Sequence, residues 1–230
     1  MDLGAEVRDW SPREAPPRTD LEGRYVTLTP LLPAHADALV AAATDDVWRW
    51  LSYGPFASGD DYRAWIEANA SGDDPLFLAV LVDGQPRGVV SYLRIDRANG
   101  SIEIGHIWYA PSIQRSGATT EAAYLLARRA FDELGYRRFE WKCNALNEPS
   151  RRAAQRFGFT YEGTFRQHIV WKGRSRDTAW FSIVDGEWPA IRAEFERWLD
   201  PANFDADGRQ RSCLNASSAS TNAWSGSSRS

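Results

Sequence analysis

The segment Gln114-Arg115-Ser116-Gly117-Ala118-Thr119 stands between an alternating stretch and a long helical one. A helix that begins there offers N–H groups without intrahelical partners and a partial positive charge. Together these can hold a phosphate without a lysine. Gly117 removes a side chain where a ligand would meet the backbone. Thr119 and Thr120 supply hydroxyls that can cap the helix or donate to an anion. An ordinary capped helix with one turn glycine would show the same residues. Glu103, between Ile102 and Ile104, is the second chemical candidate. A half-buried carboxylate on a central strand could take a proton from an amine, directly or through water. A solvated strand face, or pairing with Lys142 or an arginine, accounts for it equally well. Alternation places His106 on the face opposite Glu103, where a structural role ranks ahead of a catalytic one. Cys143 lacks a neighbouring base and reads as a buried strand thiol.

The elements that position these groups follow from periodicity. Arg24 to Thr29 alternates as a strand, and Leu32, Ala36, Leu39, Val40 and Ala43 recur at helical spacing. Asp60 to Ala70 predicts a second helix. Leu76 to Val82 is a continuous apolar run, the pattern of a buried strand. Turn signals at Asp83-Gly84 and Asn99-Gly100 lead into strands at Gly88 to Ile95 and Ser101 to Tyr109, giving three consecutive antiparallel strands. Ala118 to Leu134 is helical and Gly135 supplies its stop. A strand at Arg138 to Cys143, a helix at Pro149 to Phe157, strands at Phe159 to Val170 and Arg176 to Val184, and a helix at Trp188 to Leu199 complete the chain. A meander, a strand-helix-strand crossover and a hairpin make a mixed α+β sheet with helices on both faces.

Composition sets bounds on the rest. The chain has 230 residues, 43% hydrophobic and 25% charged, which suits one soluble domain with tails. Residues 1–20, with prolines and many charges, read as a poorly ordered arm, 21–200 as the folded domain, and 201–230 as a disordered tail rich in serine. A net charge of -4 argues against nucleic acid as a partner. No apolar run is long enough to cross a bilayer, and the acidic start is not a secretory signal. Two cysteines in unlike settings predict no disulfide and a cytoplasmic location. Three histidines without ligand spacing predict no metal.

Two motifs lift the loop above an ordinary cap. Gln114 and Gly117 match the coenzyme A-binding motif of the GNAT acetyltransferase superfamily, with Thr119 where that motif has a small residue. Asn147-Glu148-Pro149-Ser150 followed by Gly158-Phe159 matches its Asn-x-x-Ser-x7-Gly-Phe pattern. Thr120-Glu121-Ala122 and Glu103-Ile104-Gly105 resemble the branch that acetylates ribosomal-protein N-termini. The resemblance covers about 21–199. It implies an N-acetyltransferase that uses acetyl-coenzyme A, with direct attack of the amine in a ternary complex. It further implies pantetheine lying along Ile107, Trp108 and Tyr109, pyrophosphate on Gln114, Arg115, Ser116, Gly117, Ala118, Thr119 and Thr120, and Asn147 beside the pantetheine arm. Many family members carry a tyrosine acid four positions after Ser150. Ala154 stands there, leaving Ser150 as the candidate donor. Trp48, Trp50, Tyr53 and Phe56 fall in the segment that borders the acceptor cleft in the family, where they would stack on substrate or pack in the core. Arg166 and the Lys172–Arg176 hairpin would meet an acidic partner or form a solvated turn. The acceptor is expected to be a protein N-terminal α-amine or a small amino compound. A detoxifying enzyme for aminoacyl or antibiotic-like amines, and a non-catalytic acyl-coenzyme A-binding module, are the alternatives. A homodimer stays open.

Overall fold

The computed structural model describes residue 4 and residues 6–216. Its strands and helices run in the order β1 (Leu21–Glu22), β2 (Thr27–Pro30), α1 (Ala36–Ala42), α2 (Gly59–Asn69), β3 (Leu76–Val82), β4 (Gln85–Asp96), β5 (Ser101–Tyr109), α3 (Gly117–Arg128), β6 (Arg138–Asn144), α4 (Glu148–Arg156), β7 (Thr160–Trp171), β8 (Arg174–Val184) and α5 (Trp188–Leu199). The eight strands form one sheet in the order β1-β2-β3-β4-β5-β6-β8-β7. Only β5 and β6 are parallel, because α3 carries the chain across between them. The expected α+β sheet with helices on both faces is therefore the fold.

Each face of the sheet has its own core. Alternation in β3 sends Leu76, Leu78 and Val80 to one side, where they meet Leu125, Leu126 and Ala130 of the α3 segment and Phe195 of α5. Phe77 and Ala79 go to the other side and meet Leu39 of α1 and Tyr62 and Ile66 of α2. Helix α2 starts where Ser58 Oγ accepts from the Asp61 N–H at 3.1 Å, and Asp60 and Asp61 complement its N-terminus. The predicted helix 118–134 divides into α3 and a π turn over Arg129–Glu133, closed by Gly135 at φ +68°.

Ten consecutive residues of α3, Ala118 to Ala127, are buried because the helix lies between sheet and α5. Glu121 is the charged member of that run. Its carboxylate accepts from the backbone N–H of Arg24 (2.8 Å), Tyr25 (2.5 Å) and Val26 (3.0 Å). A Cβ on Gly23 would stand 2.4 Å from Glu121 Oε2, so glycine is needed for this approach. The glutamate of the Thr120-Glu121-Ala122 motif thus fastens the β1–β2 turn to α3.

Both ends make contacts with the domain. The arm read as poorly ordered is held by its own backbone carbonyls and by Trp10. Trp10 Nε1 donates to Ala98 O (2.8 Å), Tyr136 Oη to Glu14 O (3.0 Å), and Arg129 to Thr19 O (3.0 Å) and Asp20 O (2.9 Å). Composition does not show such contacts, because the donors belong to distant parts of the chain. Residues 201–216 also pack: Leu214 and Ala216 are buried, and Asn203 donates to Trp198 O at 2.9 Å. The remainder of the serine-rich segment, 217–230, lies outside the described residues. Among the described residues no helix is long and apolar enough to cross a membrane. Among the described residues no group of three His, Cys, Asp or Glu could hold a metal ion.

Candidate active site

The parallel pairing of β5 with β6 runs only from Ser101↔Arg138 to Ile104↔Trp141. Beyond it the strands part, so the edges of Gly105–Tyr109 and Lys142–Asn144 face a gap instead of each other. Two neighbouring cavities open at this gap. One, about 170 Å³, is lined by Glu103, His106, Lys142, Arg176, Trp50 and Trp171 among others. The other, about 80 Å³, holds Asn147, Ser150, Cys143, Trp141 and Ile107. Gly105, His106, Lys142 and Arg176 border both.

Glu103 and His106 share the first cavity, contrary to simple alternation. His106 has φ +51°, and the β4–β5 register slips between Val89 and Ser91. This β-bulge shifts the side-chain parity: Ile102 and Ile104 face the α3 side, and so do Ile107 and Tyr109. His106 therefore turns onto the face that carries Glu103. Histidine is among the residues that tolerate this left-handed conformation. Arg94 (φ +47°) and Gln167 (φ +50°) sit at comparable register shifts in β4 and β7, and bring Arg94 and the neighbouring His168 to the same cavity.

Glu103 is 3% exposed. Arg94 Nη1 (2.7 Å) and Lys142 Nζ (2.9 Å) both bind its Oε2. A Cβ on Gly105 would stand 2.8 Å from Leu93 Cδ2 and at ordinary contact distance, 3.7 Å, from Glu103 Oε1. Lys142 also binds Glu140 (2.6 Å) and lies 4.0 Å over the Trp180 ring. Burial alone would raise the Glu140 carboxyl, but hydrogen bonds from Lys142 and Arg138 outweigh it and hold it below its ordinary value. The paired state that the sequence left open for Glu103 is thus present, and both pairings go to the same carboxylate oxygen.

His106 Nδ1 is 2.9 Å from Ser91 Oγ, and Ser91 Oγ is 3.2 Å from the Gly105 carbonyl. The hydroxyl has a single proton. Donated to Gly105, it leaves Oγ to accept from Nδ1–H, which puts the imidazole lone pair on Nε2. Burial, then the Arg94 charge, lower the His106 pKa to about 4, so the ring is neutral near pH 7.

On the other side of the gap, α3 begins at Gly117 with Ser116 as N-cap and no side-chain cap bond. Ser116 Oγ donates to Ile113 O (2.6 Å), while the Thr119 and Thr120 hydroxyls turn back to Ser116 O (3.1 and 3.4 Å). The first-turn N–H groups of Gly117, Ala118 and Thr119 are left for an external acceptor. Thr119 is 8% exposed and its bulk points away from that acceptor. Arg115 adopts φ +59°, and Gln114 Nε2 donates to Tyr109 O at 2.9 Å, tying the loop to the end of β5. Arg156, which the sequence did not single out, donates to Thr120 Oγ1 at 3.1 Å and brings a cation to the helix start.

Asn147 Oδ1 caps α4 by accepting from Ser150 N (3.3 Å), which leaves its Nδ2 as a donor at the second cavity. Ser150 Oγ accepts from Trp141 Nε1 at 2.9 Å. Ala154 is fully buried, so no proton donor occupies the tyrosine position. Burial raises the Cys143 thiol, consistent with an inert core cysteine. Of the aromatic residues expected at an acceptor cleft, Trp50 lines both cavities at the gap. Trp48 (6% exposed) and Tyr53 (9%) instead build the α1–α2 core with Tyr62, Phe77 and the Trp108 side chain. Lys172 lies exposed in the β7–β8 turn, and its Nζ donates to Trp48 O (2.9 Å) and Gly54 O (3.0 Å), tying the hairpin to the segment after α1.

A family model described as an acetyltransferase (GNAT) domain matches residues 26–160. The chain resembles the crystal structure of a GCN5-related N-acetyltransferase from Brucella melitensis, with 48% identity and a TM-score of 0.88 over 90% of this chain and 97% of that one. It is 31% identical over 114 residues to the ribosomal-protein-serine acetyltransferase of Escherichia coli (strain K12), which is 48% of this chain and 63% of that protein. The structure of the microcin C7 self-immunity acetyltransferase MccE in complex with acetyl-CoA and AMP matches 74% of this chain and 98% of its own, with 26% identity and a TM-score of 0.65.

Proposed function

Given that the chain belongs to the GNAT family of acetyltransferases, we propose that it takes the acetyl group from acetyl-coenzyme A and passes it to a primary amine within a ternary complex. The parted β5–β6 edge is the observation that carries this reading. On one side lies a helix start with free N–H groups and Arg156, and on the other a pocket holding Glu103 and His106. The residues fit coenzyme A: N–H groups for the pyrophosphate, an unpaired strand edge for the amides of the pantetheine arm, and the Asn147 amide beside it. Bound there, acetyl-coenzyme A supplies the thioester carbonyl.

The chain's own groups then have distinct tasks. Glu103 Oε1 accepts the proton that the amine loses, directly or through water, with neutral His106 Nε2 as a second acceptor on the same face. Arg94 and Lys142 fix the carboxylate through its other oxygen. Ser150 is the hydroxyl nearest to the role of the missing tyrosine. A thiol of ordinary pKa, about 8.5, is a tolerable leaving group without a strong acid. Similarity to a ribosomal-protein acetyltransferase supports an α-amine acceptor, on a protein N-terminus or on a small amino compound. The test is thiol release from acetyl-coenzyme A across a panel of peptides and small amines. Release with at least one α-amine is expected. Coenzyme A binding by calorimetry with no release in the whole panel would leave a binding module and overturn the transfer reading. Loss of coenzyme A binding as well would overturn both.

A further inference from the structure

The acceptor cavity holds more positive charge than its own carboxylates match. Arg94 and Lys142 are both paired with Glu103. Arg176 borders the same cavity, 4.4 Å over the Trp171 ring, and forms no ion pair among the described residues. Its Nε, and Trp171 Nε1 beside it, are buried with no acceptor. Buried donors left unmade are costly, and a guanidinium desolvated beside Arg94 is more so. His106 adds no negative charge to balance it. The site is thus short of hydrogen-bond acceptors and of negative charge, next to the groups that would take the amine's proton.

We propose that Arg176, with Trp171 Nε1, binds an oxyanion carried by the acceptor itself, so that the preferred substrate is an α-amine bearing a carboxylate or phosphate-type group a few bonds from the reacting nitrogen. The inference rests on the transfer reading above and narrows its substrate class. Arg176 is a specificity residue in this assignment: it anchors one end of the acceptor while Glu103 and His106 meet the amine. A guanidinium fork matches two oxyanion oxygens, and the indole N–H adds a third donor.

The experiment compares paired acceptors that differ in charge alone. Free amino acids are set against their carboxamides, and O-phosphoserinamide against serinamide. Short peptides with an acidic second residue are set against amide counterparts, which separates a small-molecule source from a protein N-terminus. The anionic member of each accepted pair should have kcat/KM about 10- to 100-fold higher, expressed mainly in KM. R176M should reduce that ratio to within about threefold, and R176K should keep its direction. Binding of the same pairs to the coenzyme A-loaded protein by calorimetry reads the preference without turnover. Carboxylate preference in binding, lost in R176M, would support the inference even if thiol release failed and the transfer reading fell. Equal use of both members, or an R176M defect confined to kcat and equal for both, would overturn it and place Arg176 with the leaving group instead.

Discussion

The neutral state of His106 gives a quantitative test of how the cavity is built. An ordinary histidine has a pKa near 6.5, and burial beside Arg94 lowers this one to about 4. A depressed pKa means that the unfolded chain binds a proton more readily than the folded one. Its contribution is present above the unfolded value and is lost as pH falls toward the folded value. With these two values, the two-state linkage expression removes about 2 kcal/mol between pH 7 and pH 5, and about 3 kcal/mol by pH 4. His106→Asn is the suitable perturbation, because asparagine accepts the positive φ of the bulge and does not titrate. Urea unfolding of both proteins from pH 7.5 to pH 4.5 gives the difference directly. The wild type should lose about 2.5 kcal/mol more than H106N over that range, and NMR should show the His106 ring titrating well below pH 5.5. Parallel stability profiles, or a His106 titration near 6.5, would refute the buried, Arg94-facing placement.

Further outcomes follow from other contacts. Glu103→Gln should lower kcat by about 100-fold or more while acetyl-coenzyme A affinity stays within about threefold, because the amide keeps the shape but cannot accept the proton. Isothermal titration and steady-state rates separate the two effects. Thr119→Ala should change coenzyme A affinity by less than about threefold, since the hydroxyl is turned onto Ser116 O and away from the N–H groups. A tenfold change would show that it meets the ligand. Glu121→Ala strips the acceptor from three backbone N–H groups and should cost about 3 kcal/mol or more in chemical denaturation, with little change in the kinetics of the remaining folded enzyme.

Much of the site was legible in local pattern. The helix start at Gly117 and the Asn147 cap of α4 depend on a few adjacent residues, and their types announce the conformation. The strands were legible too, because Phe77 and Leu78 must go to opposite sides of a pleated ribbon. Trp171 and Arg156 carried no such signal, and Arg176 was legible only as part of a hairpin that would meet an acidic partner or form a solvated turn. Each acquires its role from a partner or cavity formed by distant segments, as Arg156 does with Thr120. The contacts of the arm around Trp10 are hidden for the same reason, since its hydrogen bonds go to residues more than 80 positions away.

His106 shows most clearly where the division lies. The sequence alone determined the order of elements, the three-layer sheet and the helix terminus that can hold an anion, because these rest on side-chain period and on backbone groups that every helix has. Only the tertiary structure decided that Glu103 and His106 lie on one face. That outcome depends on one extra residue in the register between β4 and β5, and on the point beyond Ile104 and Trp141 where β5 and β6 part. Register is a property of two strands together, and hydrogen bonding across both edges of β5 sets it. No reading of a single strand contains that information.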